Sequence, residues 1–518
     1  MSIPKDLAGL ERVYLAQGTS HPLVFSGNSE FTPIIDGIDY FAQVHDLIVS
    51  AGRGDSIFIS WYLVEPDVDL TGVPKDHSDH RDLADLLAER AADGVDVRII
   101  VAGNPLAASL LGQKLTPFRG NFLAAKKLRS QIPSTRQVIC PPLRDRVMLD
   151  WTGTMLGSNH QKFVVAAISG KLTALVGGID VAQGRFDAFP HNRLKVGTTR
   201  WGWHDGAVRI SGPAAEEVWN NFRLRWQEVA MLPGCYVRSS GLWFELMNPP
   251  ASVPAPIHPP KQLPLVNPDV SVQVLRSFGP WKQDSIFPFC RKHWIHLPNE
   301  GVQEIHACLK NAFQSASRYI YIEDQYLGEQ PAGWHRYELY SHLRDAAARG
   351  ARVIFVGSGT RNPADYGPSE INRTLNSDIQ SKIVDRLPTS AQNNVVVYRV
   401  EHLKVHTKLI LVDDVFACIG SANLFSRSMA GIDHELSVAG VTTGKFVRDL
   451  RMRLWAEHLR TSIDDPDFQA ALEDLETAMG IWRSEWLPSN RPKETWRQPG
   501  LPRGYVPIEN VLTLVGPK

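Results

Sequence analysis

The order of helices and strands repeats in the two halves of the chain, and this repeat constrains the fold more than any other feature. Residues 82–93 predict a helix that stops at Gly94, and a short β-branched strand follows. Residues 339–349 predict a second helix that stops at Gly350, again before a strand. A glycine after a helical pattern is a common stop signal, so each half is predicted to carry the same unit.

A further helix and strand precede this unit in each half. Residues 34–52 and 302–316 predict helices, and residues 56–63 and 319–322 predict strands rich in aromatic and β-branched side chains. Alternating helices and strands indicate the α/β class, with a mixed or mostly parallel sheet flanked by helices. We therefore predict two similar α/β halves.

A proline-rich segment separates the halves. Its prolines stand at positions 249, 250, 254, 256, 259, 260 and 264. Because proline fixes φ and lacks an amide donor, the segment is predicted to be extended. The predicted division is an N-terminal half over 1–248, a linker over 249–268, and a C-terminal half over 269–518 with an irregular tail.

The second half contains the most informative motif. His406 and Lys408 are followed by an apolar run, by Asp413, and then by a Gly-Ser-Ala-Asn stretch that ends at Asn423. A lone histidine–lysine pair at this spacing is usually accidental. The aspartate and the Gly-Ser-x-Asn stretch that follow favour a functional site, with Asn423 as a phosphate contact.

The first half contains a weaker copy. His160 and Lys162 precede an apolar run with Ala167 at the place of the aspartate, and a Gly-Gly-Ile-Asp stretch then ends at Asp180. Asp180 occupies the place that corresponds to Asn423. On a β-strand the histidine and lysine of each pair would share one face.

The residue types suit phosphate chemistry. An imidazole titrates near neutral pH, and a lysine neutralises a phosphate oxygen. Two such pairs that face each other would supply a nucleophile, a general acid and a positive clamp for a phosphodiester. We therefore expect no metal and no cofactor. The alternative for Lys162 and Lys408 is that they are edge-strand lysines with no role in chemistry.

The doubled pattern resembles the phospholipase D superfamily, whose signature is His-x-Lys-x4-Asp in two copies. The second copy matches in full, and the resemblance runs from about residue 34 to about residue 458. It implies halves packed about a pseudo-twofold axis with the active site between them. It also implies that acidic residues orient the histidines, at the matching positions Asp187 and Glu435. Both acids could instead be ordinary turn or salt-bridge residues.

The resemblance implies a phospholipase D-type hydrolase or transphosphatidylase that forms a phosphohistidine. By resemblance His160 is the nucleophile and His406 the acid, although the sequence does not rank them. The expected substrate is a glycerophospholipid such as phosphatidylcholine, with water or an alcohol as acceptor. Ala167 is expected to affect local stability more than chemistry.

Three alternatives remain open at this point. The first is a metal-independent nuclease or other phosphodiesterase of the same superfamily. The second is a phospholipid synthase, although such enzymes commonly carry membrane helices. The third is a phospholipid-binding protein without catalysis, because the first motif is incomplete.

Composition narrows these classes. Lys plus Arg and Asp plus Glu both number 55, so the net charge is zero and nucleic acid is not expected as a partner. The five cysteines show no Cys-x-x-Cys pair and predict reduced thiols. No apolar run of about 18 residues and no apolar region of a signal peptide is visible, so we expect a cytoplasmic or peripheral membrane protein, with signal-independent export left open. The oligomeric state is not predicted.

Two segments are candidates for contact with a membrane surface. Residues 114–146 are rich in lysine and arginine between apolar residues, and residues 281–294 interleave aromatic and basic side chains. The alternatives are a solvated helix face for the first segment and buried aromatic residues for the second.

Overall fold

A computed structural model gives the fold of most of the chain. The described residues are 2–17, 22–104, 118–152, 157–189, 191, 202–230, 235–239, 242–246, 256, 258–279, 298, 300–325, 337–358, 379–400, 403–458, 466–482 and 505–507.

The α-helices of these ranges lie outside the two sheets or between them. They are α1 (Leu7–Tyr14), α2 (Gly37–Ser50), α3 (Leu83–Ala92), α4 (Phe118–Ser130), α5 (Ala214–Ala230), α6 (Glu304–Ser315), α7 (Tyr340–Ala348), α8 (Thr389–Gln392), α9 (Ser426–Met429), α10 (Phe446–His458), α11 (Pro466–Glu473) and α12 (Leu475–Trp482).

The strands follow in chain order. Those up to the linker are β1 (Val24–Ser26), β2 (Glu30–Ile35), β3 (Ser56–Trp61), β4 (Asp96–Ala102), β5 (Val147–Asp150), β6 (Phe163–Ile168), β7 (Lys171–Gly177), β8 (Gly202–His204), β9 (Gly206–Ser211), β10 (Cys235–Ser239) and β11 (Leu242–Leu246). Those beyond it are β12 (Val270–Phe278), β13 (Val302–Gln303), β14 (Tyr319–Glu323), β15 (Arg352–Ser358), β16 (Val395–Val400), β17 (Leu403–Val405), β18 (Leu409–Val412), β19 (Phe416–Gly420), β20 (Glu435–Thr442) and β21 (Tyr505–Pro507).

The two main sheets have the same strand order. The first runs β2-β9-β7-β6-β3-β4-β5, and the second contains β12-β20-β19-β18-β14-β15-β16 in corresponding places. In each sheet three neighbouring strands are parallel and the others are antiparallel. The predicted α/β class with two similar halves and mixed sheets is therefore confirmed.

The predicted repeat also appears element by element. Helices α3 and α7 end before Gly94 and Gly350, whose φ angles of 95° and 101° suit glycine. Helix α2 begins at Gly37, later than predicted, because residues 34–35 still belong to strand β2. The predicted helix over 302–316 begins at Glu304, since the two residues before it pair with β12.

The first residues of the chain pack on the second half. Strand β1 pairs with β12 at the edge of the second sheet. The phenol of Tyr14 in α1 donates to Asp413, and Ala16 exchanges hydrogen bonds with the Gln273 side chain of β12. The first residues of the chain were predicted to belong to the N-terminal half. They pack with the second half instead, because the apolar face of α1 is buried against α6 and the second sheet. In the predicted linker, the amides of Leu265 and Asn267 donate to the carbonyls of Asn28 and Gly27, between β1 and β2.

The largest apolar core runs without interruption from one sheet to the other. It includes the buried Phe58 and Trp219 of the first half and Tyr321, Leu411 and Trp455 of the second half. Helix α5 contributes Trp219, whose ring lies 4.2 Å from that of Phe58. The two halves therefore form one packed unit, and this rigid contact positions the segments that meet between them.

Across the described ranges, no helix combines the length and apolar character that a membrane span requires.

Candidate active site

The first motif is held by backbone contacts with the opposite half. The amide of His160 donates to the carbonyl of His434 at 2.9 Å, and the amide of His434 donates to Ser158 at 2.8 Å. The side-chain amide of Gln161 donates to the Glu435 carbonyl at 3.2 Å. Strand β6 begins only at Phe163, so the expectation that this motif lies within a strand is wrong: its backbone pairs across the interface instead of within the sheet.

The imidazole of His160 contacts the predicted acid Glu435. Its Nδ1 lies 3.0 and 3.1 Å from the two carboxylate oxygens. Glu435 is fully buried, and it also accepts hydrogen bonds from the hydroxyls of Ser421 and Ser428 at 2.6 and 2.7 Å. A carboxylate on Nδ1 places the lone pair on Nε2, where a reacting phosphorus can be attacked.

The second motif is held in a reciprocal way. Strand β17 pairs with β8 of the first half, and the amide of His406 donates to the carbonyl of His204 at 2.7 Å. Nδ1 of His406 lies 2.7 Å from a carboxylate oxygen of Asp205. Strand β18 begins at Leu409, so this motif also precedes its strand, contrary to expectation. Each half therefore supplies the acid for the histidine of the other half.

Both lysines are buried beside their own histidines. The ammonium of Lys162 donates to the His160 carbonyl at 3.0 Å, and Lys408 donates to the His406 carbonyl. Lys162 also lies 3.8 Å from Asp180 and 4.6 Å from the ring centroid of Tyr62. Burial lowers the pKa of Lys162, and it lowers the pKa of Lys408 to about 8. Binding of an anionic phosphate would favour the charged form of both.

The charges of the two motifs act on one another. Burial first, and then the positive charges of Lys408, Arg185 and Lys162, hold the pKa of His406 well below its usual range. Lys162 belongs to the first motif and His406 to the second, so the two motifs share one electrostatic neighbourhood. Burial raises the pKa of Asp205, the partner of His406, to about 6.

Asp180 and Asn423, which end the two glycine-containing stretches, have different hydrogen-bond partners. Asp180 accepts from the Leu63 amide at 3.0 Å and lies 3.6 Å from Arg185, so it is a member of the ion-pair chain around Lys162. Asn423 is 6% exposed, and within the ranges described its Oδ1 has no hydrogen-bond partner. This oxygen accepts hydrogen bonds, so it suits a donor group on a ligand, whereas only the Nδ2 group of Asn423 can donate to a phosphate oxygen.

Asp187 does not contact either motif histidine. Its carboxylate accepts from the Trp203 amide at 2.8 Å and lies 3.0 Å from Nδ1 of His191. This predicted orienting acid therefore contacts β8, and β8 pairs with β17, the strand that precedes His406. Asp205 occupies the orienting position beside His406, and sequence reasoning missed it.

A buried polar network lies behind the His406 segment. Glu323 accepts from His204 at 3.0 Å, from His458 at 2.8 Å and from the Thr407 hydroxyl at 2.8 Å. Burial opposes the charge of Glu323, but the two histidines hold its pKa well below the usual value. Thr407 is the residue next to His406, so the network supports the backbone of the second motif.

Part of this network could hold a divalent cation. Donor atoms of Asp36, His191, His204 and Glu457 lie within 4.8 Å of one another, and His204, Glu323 and His458 form a second such group. Imidazole nitrogen with carboxylate oxygen is a donor set that suits several divalent metals. Burial alone lowers the pKa of His191, yet hydrogen bonds to Asp187 and Glu457 raise it to about 9, so protons can neutralise the cluster equally well.

Several cations of the basic segment around α4 are engaged within the first half. Lys127 pairs with Asp82 at 2.9 Å, Arg136 pairs with Asp93 at 2.9 Å, and Arg129 donates to the Val147 carbonyl. The structure thus favours the solvated helix face over a membrane-facing lip for these residues. The aromatic and basic candidates at 281–294 lie outside the described residues.

Comparisons with known proteins agree with the resemblance to the phospholipase D superfamily. A family model described as "Phospholipase D" matches residues 193–346, and one described as "Cardiolipin synthase, PLD-like domain" matches residues 309–453. Phospholipase D A of Dictyostelium discoideum is 22% identical over 82% of this chain and 35% of its own length. Phospholipase D alpha 3 of Arabidopsis thaliana is 23% identical over 78% of this chain and 61% of its own length.

The chain thus spans between about a third and two thirds of the first curated relatives it matches. Among solved structures, phosphatidylserine synthase of Haemophilus influenzae matches with a TM-score of 0.50 at 11% identity. This match covers 86% of this chain and 87% of that chain. At that identity the match supports the fold and says nothing of the substrate.

Proposed function

The chain belongs to the phospholipase D superfamily, and from this premise we propose that it is a phosphodiesterase that cleaves glycerophospholipids through a phosphohistidine. The observation that carries the proposal is the reciprocal pairing of the two imidazoles. His160 is bonded to Glu435, and His406 is bonded to Asp205, each across the interface between the halves. Each imidazole then has a carboxylate on Nδ1 and a buried lysine beside it.

In the proposed first step Nε2 of His160 attacks phosphorus. The bond from phosphorus to the head-group oxygen breaks, and that oxygen receives a proton from His406. In the second step His406 removes a proton from water or an alcohol, whose oxygen attacks phosphorus and releases His160. The two lysines, and Asn423 through its Nδ2 group, bind the non-bridging oxygens, where negative charge is highest in the transition state.

The partners follow from this chemistry. A phospholipid at a membrane surface is the proposed substrate, and water or an alcohol is the acceptor. The side chain of His406 is 6% exposed, and that of His160 is 15% exposed. Bulk water therefore has limited access to the acid side. Its depressed pKa requires the bound phosphate anion to raise proton affinity before the acid can act, so binding and protonation are coupled.

A phosphatidyl ester with p-nitrophenol as leaving group tests this assignment. Nitrophenolate departs without a proton, so His406→Asn should still release about one equivalent per enzyme in a burst and then stall. His160→Asn should show no burst. With a natural phospholipid both variants should lose roughly 10⁴-fold or more in kcat.

His77→Asn serves as the matched control, because His77 is an exposed histidine whose side chain is 57% accessible. Unchanged lipolysis in both motif variants would refute the proposal. Cleavage of DNA or RNA in the presence of a chelator, without lipid turnover, would favour the nuclease alternative. Binding of vesicles without turnover by the unmodified protein would favour the non-catalytic alternative.

A further inference from the structure

An indole lies against the second catalytic candidate and carries two cations. The Trp203 and His406 rings meet edge to face, with centroids 5.4 Å apart. The guanidinium carbon of Arg185 lies 3.1 Å from the Trp203 centroid, and the ammonium of Lys404 lies 4.5 Å from it. Both cations are therefore held close to the imidazole that is proposed to protonate the leaving group.

The two halves build this group together. Trp203 on β8 and Lys404 on β17 are register partners in the short parallel ladder that also positions His406. Asp187 accepts from the Trp203 amide and so fixes the backbone under the indole. Asp187, the acid predicted to orient a histidine, thus supports Trp203 instead.

Arg185 joins this group to the first motif. Its guanidinium lies 3.6 Å from Asp180, which in turn lies 3.8 Å from Lys162. The side chain is only 11% exposed, and among the described residues its Nε has no hydrogen-bond partner. A buried, unsatisfied cationic donor between the two motifs is costly unless a ligand supplies an acceptor.

The charge around the indole disfavours a quaternary ammonium. Recognition of choline uses aromatic faces in a field that attracts cations. Here the aromatic face already carries an arginine and a lysine, and the carboxylates nearby are engaged: Asp205 with His406, and Asp180 with Arg185 itself and with the Leu63 amide. An anionic group would meet two cations at this place, and the unsatisfied Arg185 donor would gain a partner.

We propose that Arg185, Trp203 and Lys404 form a second anion subsite, beside the scissile phosphate on the His406 side. The subsite binds a head group that carries its own carboxylate or phosphate. This inference rests on the proposed function, with His406 as the acid, because the leaving head group then lies on this side. It replaces phosphatidylcholine, the substrate that the resemblance suggested, with an anionic glycerophospholipid.

A matched pair of soluble substrates tests the subsite. Dihexanoyl phosphatidic acid esterified with 3-hydroxypropionate carries a second anion, and the ester with 1-propanol does not. Below their critical micelle concentrations, both reach the site without a membrane, so attraction to a charged surface is excluded. We expect the carboxylate ester to have a kcat/KM roughly tenfold higher, mainly through a lower KM.

Substitution of Lys404 connects that preference to the subsite. Lys404→Gln should reduce the ratio between the two esters roughly tenfold, and Lys404→Arg should retain most of it. Lys445→Gln is the control: Lys445 is exposed beyond the far end of β20, the strand that begins with Glu435, and its substitution should leave the ratio unchanged.

Each outcome separates the two proposals. Turnover of both esters at equal rates, or a ratio that Lys404→Gln does not alter, would overturn the subsite while the phosphodiesterase assignment stands. Faster turnover of dihexanoylphosphatidylcholine than of the carboxylate ester would overturn it as well. Absence of turnover with every ester would instead remove the proposed function itself. A preference seen only with vesicles would assign the effect to the membrane surface.

Discussion

The two motif hairpins have the same fold but different supports. After β18, the carboxylate of Asp413 accepts hydrogen bonds from the amides of residues 317, 318 and 319 at 2.8–2.9 Å, and from the phenol of Tyr14. In the first half Ala167, still within β6, stands at the matching place. Asp55, which precedes the neighbouring strand β3, accepts from the amide of Ser169 at 2.8 Å and from that of Gly52 at 2.9 Å.

The difference shows why the incomplete motif is tolerated. In the first half the amides of Gly54 and Asp55 donate to the backbone carbonyls of Gly94 and Gly52, so they need no carboxylate from position 167. In the second half the equivalent amides depend on Asp413. The two imidazoles, by contrast, both keep a carboxylate on Nδ1. Support of the hairpin and orientation of the histidine are therefore separate tasks in this fold.

The largest expected effect comes from the orienting acids. Glu435→Gln and Asp205→Asn should each lower kcat roughly 10³-fold, because the amide no longer stabilises the imidazolium or holds its tautomer. Because each acid contacts the histidine of the other half, the structure predicts which reaction step fails in each variant. With the p-nitrophenyl ester, Glu435→Gln should lose the burst that depends on His160, and Asp205→Asn should keep the burst but stall.

Asp187→Asn is the comparison for that experiment, since Asp187 bonds to His191 and Trp203 and to neither motif histidine. We expect a smaller loss of kcat than for Asp205→Asn. An equal or larger loss would mean that the acid of the first half acts through Asp187 after all.

The next largest effect is on stability in the second half. Asp413→Ala should lower the free energy of unfolding by about 3 kcal/mol, because three backbone amides and a phenol lose their acceptor. Alanine is also strained at the φ of 57° that residue 413 adopts. Urea unfolding followed by circular dichroism measures the change. Asparagine tolerates the same φ, so the free energy of unfolding of Asp413→Asn should lie between those of the wild type and Asp413→Ala. A smaller loss for Asp413→Ala than for Asp55→Ala would contradict the comparison.

The smallest effect is expected in the first half. Asp55→Ala should cost about 1 kcal/mol, since Asp55 is partly exposed and water replaces its two hydrogen bonds. Ala167→Asp is the complementary change, and it should bring no gain in unfolding free energy, because the nearby amides already have acceptors. Stabilisation by that aspartate would show that the hairpin lacks support as it stands.

The repeat of elements was predictable from the sequence because helix stops and β-branched runs are local signals. Glu435 was also identified as an orienting acid. Its pairing with His160 was not, since that contact joins residues 275 positions apart. Asp205 carries no local signal of its role. It becomes an orienting acid only through the pairing of β8 with β17, a contact between halves that periodicity cannot show.

The position of the motif residues outside the strands has the same origin. Alternation predicted that His160 and Lys162 share a strand face, but their backbone bonds to the opposite half. Pairing partners decide where a strand begins, and local composition does not reveal a partner that lies in the other sheet. The same limit applies to Arg185, whose importance follows from its place between Asp180 and Trp203.

The attachment of α1 has a consequence for biosynthesis. Tyr14 and its acceptor Asp413 are 399 positions apart, so the helix leaves the ribosome long before the surface that buries it. At translation rates of roughly 5–20 residues per second, about 20–80 seconds pass between the two events. During that interval the apolar face of the nascent segment is available to chaperones, and docking of this segment belongs among the last events of maturation.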